Sequence, residues 1–371
     1  MKVVWDGRVV YGRELRGMGA YGVNLMTAMA PLRPDVEHVV LTDEPTPHAC
    51  RIRGVTPRVV GPSRGYRWHL WEQVGLPWHA ATLRADVLHC PANTAPVLAT
   101  VPRVVTVHDV IPYIPEVAER TLTGRYWLET VPKAIRSAAA IVTVSEASRR
   151  DIERVLHVSG DRITVVPSAA GIDVARPSPE TITSVLSAHG VQPPYVLALA
   201  APAPRKNTLG VVEVFGRTAR AVRDVQLVMT GVGPALRERV LAAARSLDIP
   251  ERRLRLIDFA DPVVRNALYA GASVFLFLSL YEGFGIPILE AMRIGVPVLC
   301  STRASCPEVA GNAAVLVDPA DVDAAAAALI DMLRAPESQR DEWRARGQVR
   351  ERAFTWQRSA EMTLQVYDAV A

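Results

Sequence analysis

The stretch Leu280-Tyr281-Glu282-Gly283-Phe284-Gly285-Ile286-Pro287-Ile288-Leu289-Glu290-Ala291-Met292 constrains this chain more than any other. Residues 273–278 before it form an apolar run, the pattern of a strand buried on both faces of a parallel sheet. After it, Pro287 suits the first position of a helix, where its missing N–H costs nothing. Gly283 and Gly285 lie between, and glycine lets backbone come close to a ligand. The pattern predicts that the N–H groups of Gly285, Ile286 and Ile288 point out of a helix N-terminus, where an anion is favoured. Two carboxylates, Glu282 and Glu290, bracket the turn eight positions apart. Acids beside an anion site are unfavourable unless they do other work, such as accepting hydrogen bonds from hydroxyls. An anion flanked by hydroxyls describes a sugar phosphate or a nucleotide.

A Glu, seven residues and a second Glu, with Gly-Phe-Gly inside and Glu-Ala-Met at the end, resembles the signature of glycosyltransferase family four. The bland alternative is a strand-to-helix turn with two solvated acids. The resemblance implies an α/β chain of the GT-B fold: two Rossmann-like domains with parallel sheets facing across a cleft. It implies a retaining enzyme that uses a nucleotide sugar.

At 371 residues the chain is long enough for two domains of ordinary size. With 49% hydrophobic and 22% charged residues it reads as soluble and globular. The longest apolar runs, around 138–144 and 272–278, fall short of the roughly 20 residues a membrane span needs. Met1-Lys2-Val3-Val4-Trp5 is followed at once by Asp6 and Arg8, too short and too charged for a signal peptide. Cys50, Cys90, Cys300 and Cys306 show no Cys-x-x-Cys pair and no histidine at zinc spacing. Reduced thiols in a cytoplasmic protein are expected. The net charge of +4 fits an anionic substrate or membrane surface and does not argue for nucleic acid.

Taken in order, residues 3–5 read as a strand. Gly17-Met18-Gly19-Ala20-Tyr21-Gly22 then opens a helix that runs to about Ala30. This is a Gly-x-Gly-x-x-Gly string, and Asp43 follows strand 38–41 at the distance a dinucleotide site wants. An NAD-dependent oxidoreductase is therefore weighed. Against it, some eleven residues separate the first strand from Gly17, where the fingerprint should follow immediately. In the family named above, a glycine-rich loop after the first strand meets the donor diphosphate, and Gly17 and Gly19 match it.

Residues 51–85 hold six arginines, one acid (Glu72) and three of the seven tryptophans, Trp68, Trp71 and Trp78. Such a stretch can lie on anionic lipid or grip an acceptor. The alternative is a helix with Trp68, Leu70 and Trp71 packed inward and arginines in water. The expectation for this segment is peripheral contact with an anionic membrane, on its inner face. Strands follow at 86–89 and 103–107. His108 and Asp109 sit at the carboxyl end of the latter, the edge that faces the ligand crevice in open α/β sheets. The resemblance places His108 against the donor sugar, leaves Asp109 to orient His108 or its loop, and puts Asn93 in the cleft on the acceptor side. Strand 141–144 precedes Ser145, a predicted helix cap, and strand 163–166 ends at Pro167.

Pro177, Pro179, Pro193 and Pro194 punctuate a boundary between two α/β patterns. The domains predicted are 1–175, 176–354 and a C-terminal helix, 355–371, crossing back onto the first. Strand 195–199 leads to Arg205 and Lys206. A planar fork and a point charge at the end of a first strand suit a diphosphate. The family pattern usually has glycine at Ala200 and an acid at Ala203. Strands 226–229 and 254–257 follow, and the second leads to Phe259, where the family's backbone reads the base. Strand 296–300, a loop carrying Glu308 and edge strand 314–317 follow the opening motif. Asp321-Val322-Asp323 imitates an Asp-x-Asp metal motif but starts an alanine-rich helix. No metal and no other cofactor are expected.

The resemblance implies that Arg205, Lys206 and the helix N-terminus stabilise the departing β-phosphate. Glu282 contacts the sugar or the phosphate region, and Glu290 the ribose. The backbone of Gly283, Phe284, Gly285 and Ile286 holds sugar hydroxyls and phosphate. Trp71-Glu72-Gln73 and Pro91-Ala92-Asn93-Thr94-Ala95-Pro96 resemble bacterial mannosyl- and rhamnosyltransferases of polysaccharide assembly. A GDP-sugar donor and a glycan or lipid-linked acceptor are the expectation. A sugar-binding GT-B protein without turnover remains the third reading.

Overall fold

The computed structural model describes residues 1–10, 17–42, 52–60, 68–118 and 124–371. Contacts divide the chain into two compact units, Met1–Ala169 with Phe354–Ala371, and Ala170–Ala353.

The first unit is built on a parallel seven-stranded sheet of order β3-β2-β1-β4-β5-β6-β7. Its strands are β1 (Lys2–Asp6), β2 (Glu37–Thr42), β3 (Val55–Val59), β4 (Val87–Cys90), β5 (Arg103–Val107), β6 (Ala140–Thr143) and β7 (Ile163–Val165). Every residue of β4 and β5 is buried, as a sheet covered on both faces requires. The chain steps outward from β1 to β2 and β3, then returns to lay β4 against the other side of β1. That reversal puts a switch point between the carboxyl ends of β1 and β4. The Trp356–Val370 helix closes this unit by packing on the Met18–Leu32 helix. Thr355 Oγ1 caps it by accepting from Arg358 N at 3.2 Å, and Ser359 Oγ donates to Pro167 O at 2.6 Å.

The second unit carries a parallel six-stranded sheet of order β10-β9-β8-β11-β12-β13. Its strands are β8 (Tyr195–Leu199), β9 (Gln226–Thr230), β10 (Leu254–Ile257), β11 (Val274–Phe277), β12 (Val298–Ser301) and β13 (Val315–Val317). Here the switch point lies between β8 and β11.

Several local expectations are corrected. The Cys306–Ala310 helix contains Glu308, which the sequence placed in a loop. Pro307 at its second position is tolerated because the N–H it lacks has no helical partner there. Pro287 likewise is second, after Ile286, in the Ile286–Ile294 helix. Strand β3 was not anticipated. It holds Pro57, which an edge strand accepts. The wide turns Trp71–Gly75 and Tyr126–Thr130 were also missed. Each lies just before a proline, Pro77 or Pro132, whose ring would clash with the carbonyl four residues back in a regular helix.

Candidate active site

The switch point of the second sheet holds the first group of candidates. After β8 the chain turns through Pro204–Lys206, and after β11 it enters the turn at Glu282. Leu280 N donates to Arg205 O at 2.7 Å and ties the two turns together. Glu282, 8% exposed, spans both cations: Lys206 Nζ lies 2.6 Å from Oε1 and Arg205 Nη1 3.1 Å from Oε2. The Lys206 ammonium also sits 5.4 Å from the centre of the Phe277 ring. Asn207 adopts the left-handed conformation and donates from Nδ2 to Leu278 O at 3.1 Å, fixing the end of the basic turn. Ser305, which the sequence did not single out, lies with Oγ 2.9 Å from Glu282 O and 2.6 Å from Phe284 O. It clamps the backbone of Gly283 and the buried Phe284 from below.

Gly285 caps the Ile286–Ile294 helix with φ of 107°, a region that favours glycine. Ile288 N donates to Gly285 O at 3.0 Å. Ile288 N is therefore taken up within the turn and, against expectation, is not one of the outward N–H groups. One turn on, Glu290 is 8% exposed and accepts from Tyr269 OH at 3.3 Å through Oε2. Burial raises its pKa above the usual carboxylate value, while Arg265 and Tyr269 oppose the rise. Arg293 anchors the far end of this helix, donating to Gly171 O at 2.7 Å and to Glu351 Oε1 at 2.7 Å. Phe259, beyond β10, is 53% exposed, and its neighbour Asp258 accepts from Arg237 at 2.6 Å.

The first unit holds the rest. His108 follows β5, and its Nε2 lies 2.8 Å from Pro91 O. A carbonyl only accepts, so Nε2 carries the proton and Nδ1 remains an acceptor. Asn93 Oδ1 accepts from His108 N at 2.7 Å, and Ser148 Oγ donates to His108 O at 2.9 Å. Tyr21 packs edge-on to the imidazole at 4.7 Å. Burial lowers the His108 pKa to about 4, with the Pro91 carbonyl working against it, so the ring is neutral near pH 7. Asp109 Oδ1 accepts from Ile111 N at 3.1 Å, a bond within its own loop. Gly17 caps the Met18–Leu32 helix with φ of 50°, and Gly19 is buried in the first turn.

Of the basic, aromatic stretch, Arg51, Arg64, Tyr66 and Arg67 lie outside the described residues, as do Asp43 and Cys50. Trp71 is buried, but Leu70, expected beside it in the inward-packed alternative, is exposed. Cys90, Cys300 and Cys306 are buried free thiols. Among the described residues, no group of three or more His, Cys, Asp and Glu is placed to hold a metal ion, and no helix is long and apolar enough to cross a membrane. Asp321 caps the Val322–Arg334 helix, accepting from Ala324 N at 2.9 Å.

Two parallel sheets, each with its charged and polar loops at the switch point, define an α/β protein of two Rossmann-like units. Residues 15–176 match the profile of Glycosyltransferase Family 4, and residues 186–350 that of Glycosyl transferases group 1. Alpha-maltose-1-phosphate synthase of Mycolicibacterium smegmatis is 32% identical over 329 residues, covering 82% of this chain and 78% of that one. O-antigen chain mannosyltransferase B of Escherichia coli is 33% identical over 249 residues, or 66% of this chain. The match takes in 64% of that relative's length. The crystal structure of Anabaena Alr3699/HepE in complex with UDP and glucose has a TM-score of 0.76 at 16% identity over 100% of both chains, which shows the GT-B fold. The chain belongs to glycosyltransferase family 4. That membership sets aside the oxidoreductase reading of Gly17, Gly19 and Gly22.

Proposed function

We propose that this chain is a retaining glycosyltransferase. It moves a hexose, mannose or a related deoxyhexose, from a nucleoside diphosphate sugar to a glycan or lipid-linked acceptor. The carrying observation is the single carboxylate of Glu282 set across Lys206 and Arg205 at the switch point of the second sheet, beside the N-terminus of the Ile286–Ile294 helix.

Cleavage at the anomeric carbon leaves negative charge on the β-phosphate. Preorganised donors aimed at that charge are usually the largest catalytic contribution. Lys206 and Arg205 supply two of them, and the backbone at Gly285 and Ile286 supplies more. When phosphate oxygens take over the cations, Glu282 is released to accept from sugar hydroxyls. Glu290, already dry and holding Tyr269, is suited to the ribose hydroxyls. Neither acid is a loose nucleophile, since Glu290 is held by a phenol and Glu282, once released, is engaged by the sugar hydroxyls. This favours attack by the acceptor on the face the diphosphate leaves, with retention. The cation pair does the work of a metal, so transfer proceeds in EDTA.

A GDP-sugar donor is favoured by the Escherichia coli relative, a mannosyltransferase by name. Peripheral contact with anionic lipid is favoured by Leu70, Val74 and Trp78, exposed at 58–64% and spaced four apart. The only acid of residues 51–85, Glu72, is turned inward. Flotation with anionic vesicles tests this, and equal flotation by Leu70→Ser/Trp78→Ser removes it.

A thermal-shift panel of UDP, GDP, dTDP and NAD tests the main reading. One nucleoside diphosphate should stabilise the protein, NAD should not, and Lys206→Ala should reduce the shift. Stabilisation by NAD, or by no nucleoside diphosphate, overturns the proposal. Binding without consumption of any donor sugar leaves a sugar-nucleotide binder and no transferase.

A further inference from the structure

Residues 68–82 form one helical run with two faces. Leu70, Val74 and Trp78 line one. Trp68 and Glu72 lie on the other, one turn apart. Glu72 is wholly buried and accepts from three elements at once. Thr94 Oγ1, in the loop after β4, donates to Oε2 at 2.6 Å. Tyr126 OH donates to Oε1, and Arg8 Nη2 to Oε2. The Arg8 guanidinium also grips Asp6, the last residue of β1, with Nε 2.9 Å from each carboxylate oxygen. The cluster therefore sits at the switch point of the first sheet.

Above it stands a group of rings. The Arg8 guanidinium lies 4.6 Å from the centre of the Trp68 ring. Trp68 meets Tyr126 edge-on at 5.3 Å and lies 6.2 Å from Trp127. His69 stacks on Tyr126 at 3.7 Å. His69 is exposed, and Trp68, Tyr126 and Trp127 are half-buried. Arg8 is 7% exposed at the side chain, and its Nη1 is buried with no hydrogen-bond partner among the described residues. A charged network this deep is an expensive way to hold a loop, since packed apolar side chains often do as well. Its chemistry fits a ligand instead. A pyranose offers a C–H face to aromatic rings and a rim of hydroxyls to carboxylates and N–H donors, the mixture typical of small-molecule sites. Among the described residues the cluster sets two carboxyl groups against one guanidinium, which disfavours a phosphate.

We propose that Trp68, His69, Tyr126 and Trp127, set over the Arg8–Glu72 pair, form a subsite for a sugar ring of the acceptor. The acceptor is then received by a neutral saccharide end and not by a bare lipid phosphate. The proposal rests on the glycosyltransferase reading above and adds the acceptor's chemical class. The loop that holds Thr94 also carries Asn93, bonded to His108 N, so acceptor seating and the His108 loop are linked by neighbouring residues.

Saturation-transfer NMR on the full chain, with GDP present, tests this. The probes are the methyl α-glycosides of mannose, rhamnose, glucose and galactose, and inorganic phosphate. At least one glycoside should give a saturable signal. Trp68→Ala and Trp127→Ala should each weaken it at least tenfold, and Trp68→Phe should restore most of it. The nucleoside diphosphate thermal shift should be unchanged in all three. No glycoside signal with the wild type, an undiminished signal in both alanine variants, or preferential binding of phosphate lost in those variants overturns the subsite. A normal nucleotide shift alongside such a result confines the failure to the subsite, whereas loss of the nucleotide shift in the wild type removes the transferase reading itself. Trp127, half-buried and outside the Glu72 network, keeps the test valid if Trp68→Ala folds poorly.

Discussion

Lys206 Nζ lies 2.6 Å from Glu282 Oε1, and the same carboxylate reaches Arg205 through its other oxygen at 3.1 Å. The acid thus occupies the cations that a pyrophosphate would need. The trio carries one net positive charge, and Glu282→Gln would leave two. That variant should bind nucleoside diphosphate several-fold more tightly while losing at least about tenfold in turnover, because the sugar loses its acceptor. Lys206→Ala should weaken nucleoside diphosphate binding about tenfold or more, as loss of a charge-assisted bond costs about 1.5–3 kcal/mol. Calorimetry on both variants checks the pair. Weaker binding by Glu282→Gln would show that the carboxylate assists the diphosphate instead of competing with it.

Glu290 should separate stability from binding. Burial holds its folded pKa above the ordinary 4.5, so the neutral form is the one the fold prefers. The stability this group contributes is present below 4.5 and is lost as pH rises through the folded value. Glu290→Gln removes the ionisable carboxyl and should flatten this part of the pH dependence of the urea midpoint. The same variant should bind nucleoside diphosphate about tenfold more weakly, since one of the two carboxyl oxygens that can accept from hydroxyls becomes an amide donor. Equal nucleotide affinity would end the ribose role.

Three buried histidines set the acid limit of the first unit. Burial lowers His38 to about 4, His89 to about 3 and His108 to about 4, and the neighbouring rings push His89 further. His38 accepts from Trp5 Nε1 at 3.2 Å and needs its neutral form to do so. All three values lie below the ordinary 6.5. Between pH 6.5 and about 4 the unfolded chain therefore takes up protons that the folded chain refuses, and stability falls as pH falls. Each group contributes up to about 1.4 kcal/mol per pH unit in that window. Glu290 tilts the other way, as one group against three. Urea midpoints at pH 7.5 and 5 should fall on acidification, less steeply in His89→Asn. A flat profile would show that the imidazoles ionise freely in the folded state. Turnover between pH 6 and 8 should show no inflection from His108, which is neutral throughout.

How much of this was legible in the sequence follows from the range of the signals. Strands β8 and β10 read off at their full length because each is bounded by proline or charge and is mostly apolar, with Arg255 the one interruption in β10. The Ser145 and Asp321 caps were legible because a cap is a local bond over three residues. The Glu282, Lys206 and Arg205 positions carried recognisable chemistry, but their mutual pairing spans 76 and 77 residues and needed the sheet order. Ser305 was invisible because one hydroxyl in a turn carries no pattern, and its partners are carbonyls 21 and 23 residues away. Glu72 read as the lone acid of a basic surface. It is instead wholly buried, because Arg8, 64 positions earlier, pairs with it. Periodicity could place Glu72 on the Trp68 face but gave no sign of what lay opposite.

Gly231 tests whether the loops after β8 and β9 fix the basic turn. Its φ is +84°, and a side chain there would drive Cβ into the carbonyl oxygen of Ala200. Ala200 N donates to Thr230 O at 2.7 Å, and Gly231 N to Ile257 O at 3.0 Å, so neither loop has slack. The glycine usual in the family at position 200 is dispensable here because Ala200 has negative φ, and the close approach is met from the side of Gly231. Gly231→Ala should cost about 1–3 kcal/mol from the backbone conformation alone, with the clash adding to it. Ala200→Gly should cost no more than about 1 kcal/mol, the entropy of an added glycine. Because Arg205 leaves the same loop, Gly231→Ala should also weaken nucleoside diphosphate binding, and Ala200→Gly should not. Urea midpoints and calorimetry on the two variants decide it: equal losses in both would mean that the two loops adjust independently and that the basic turn takes its position from elsewhere.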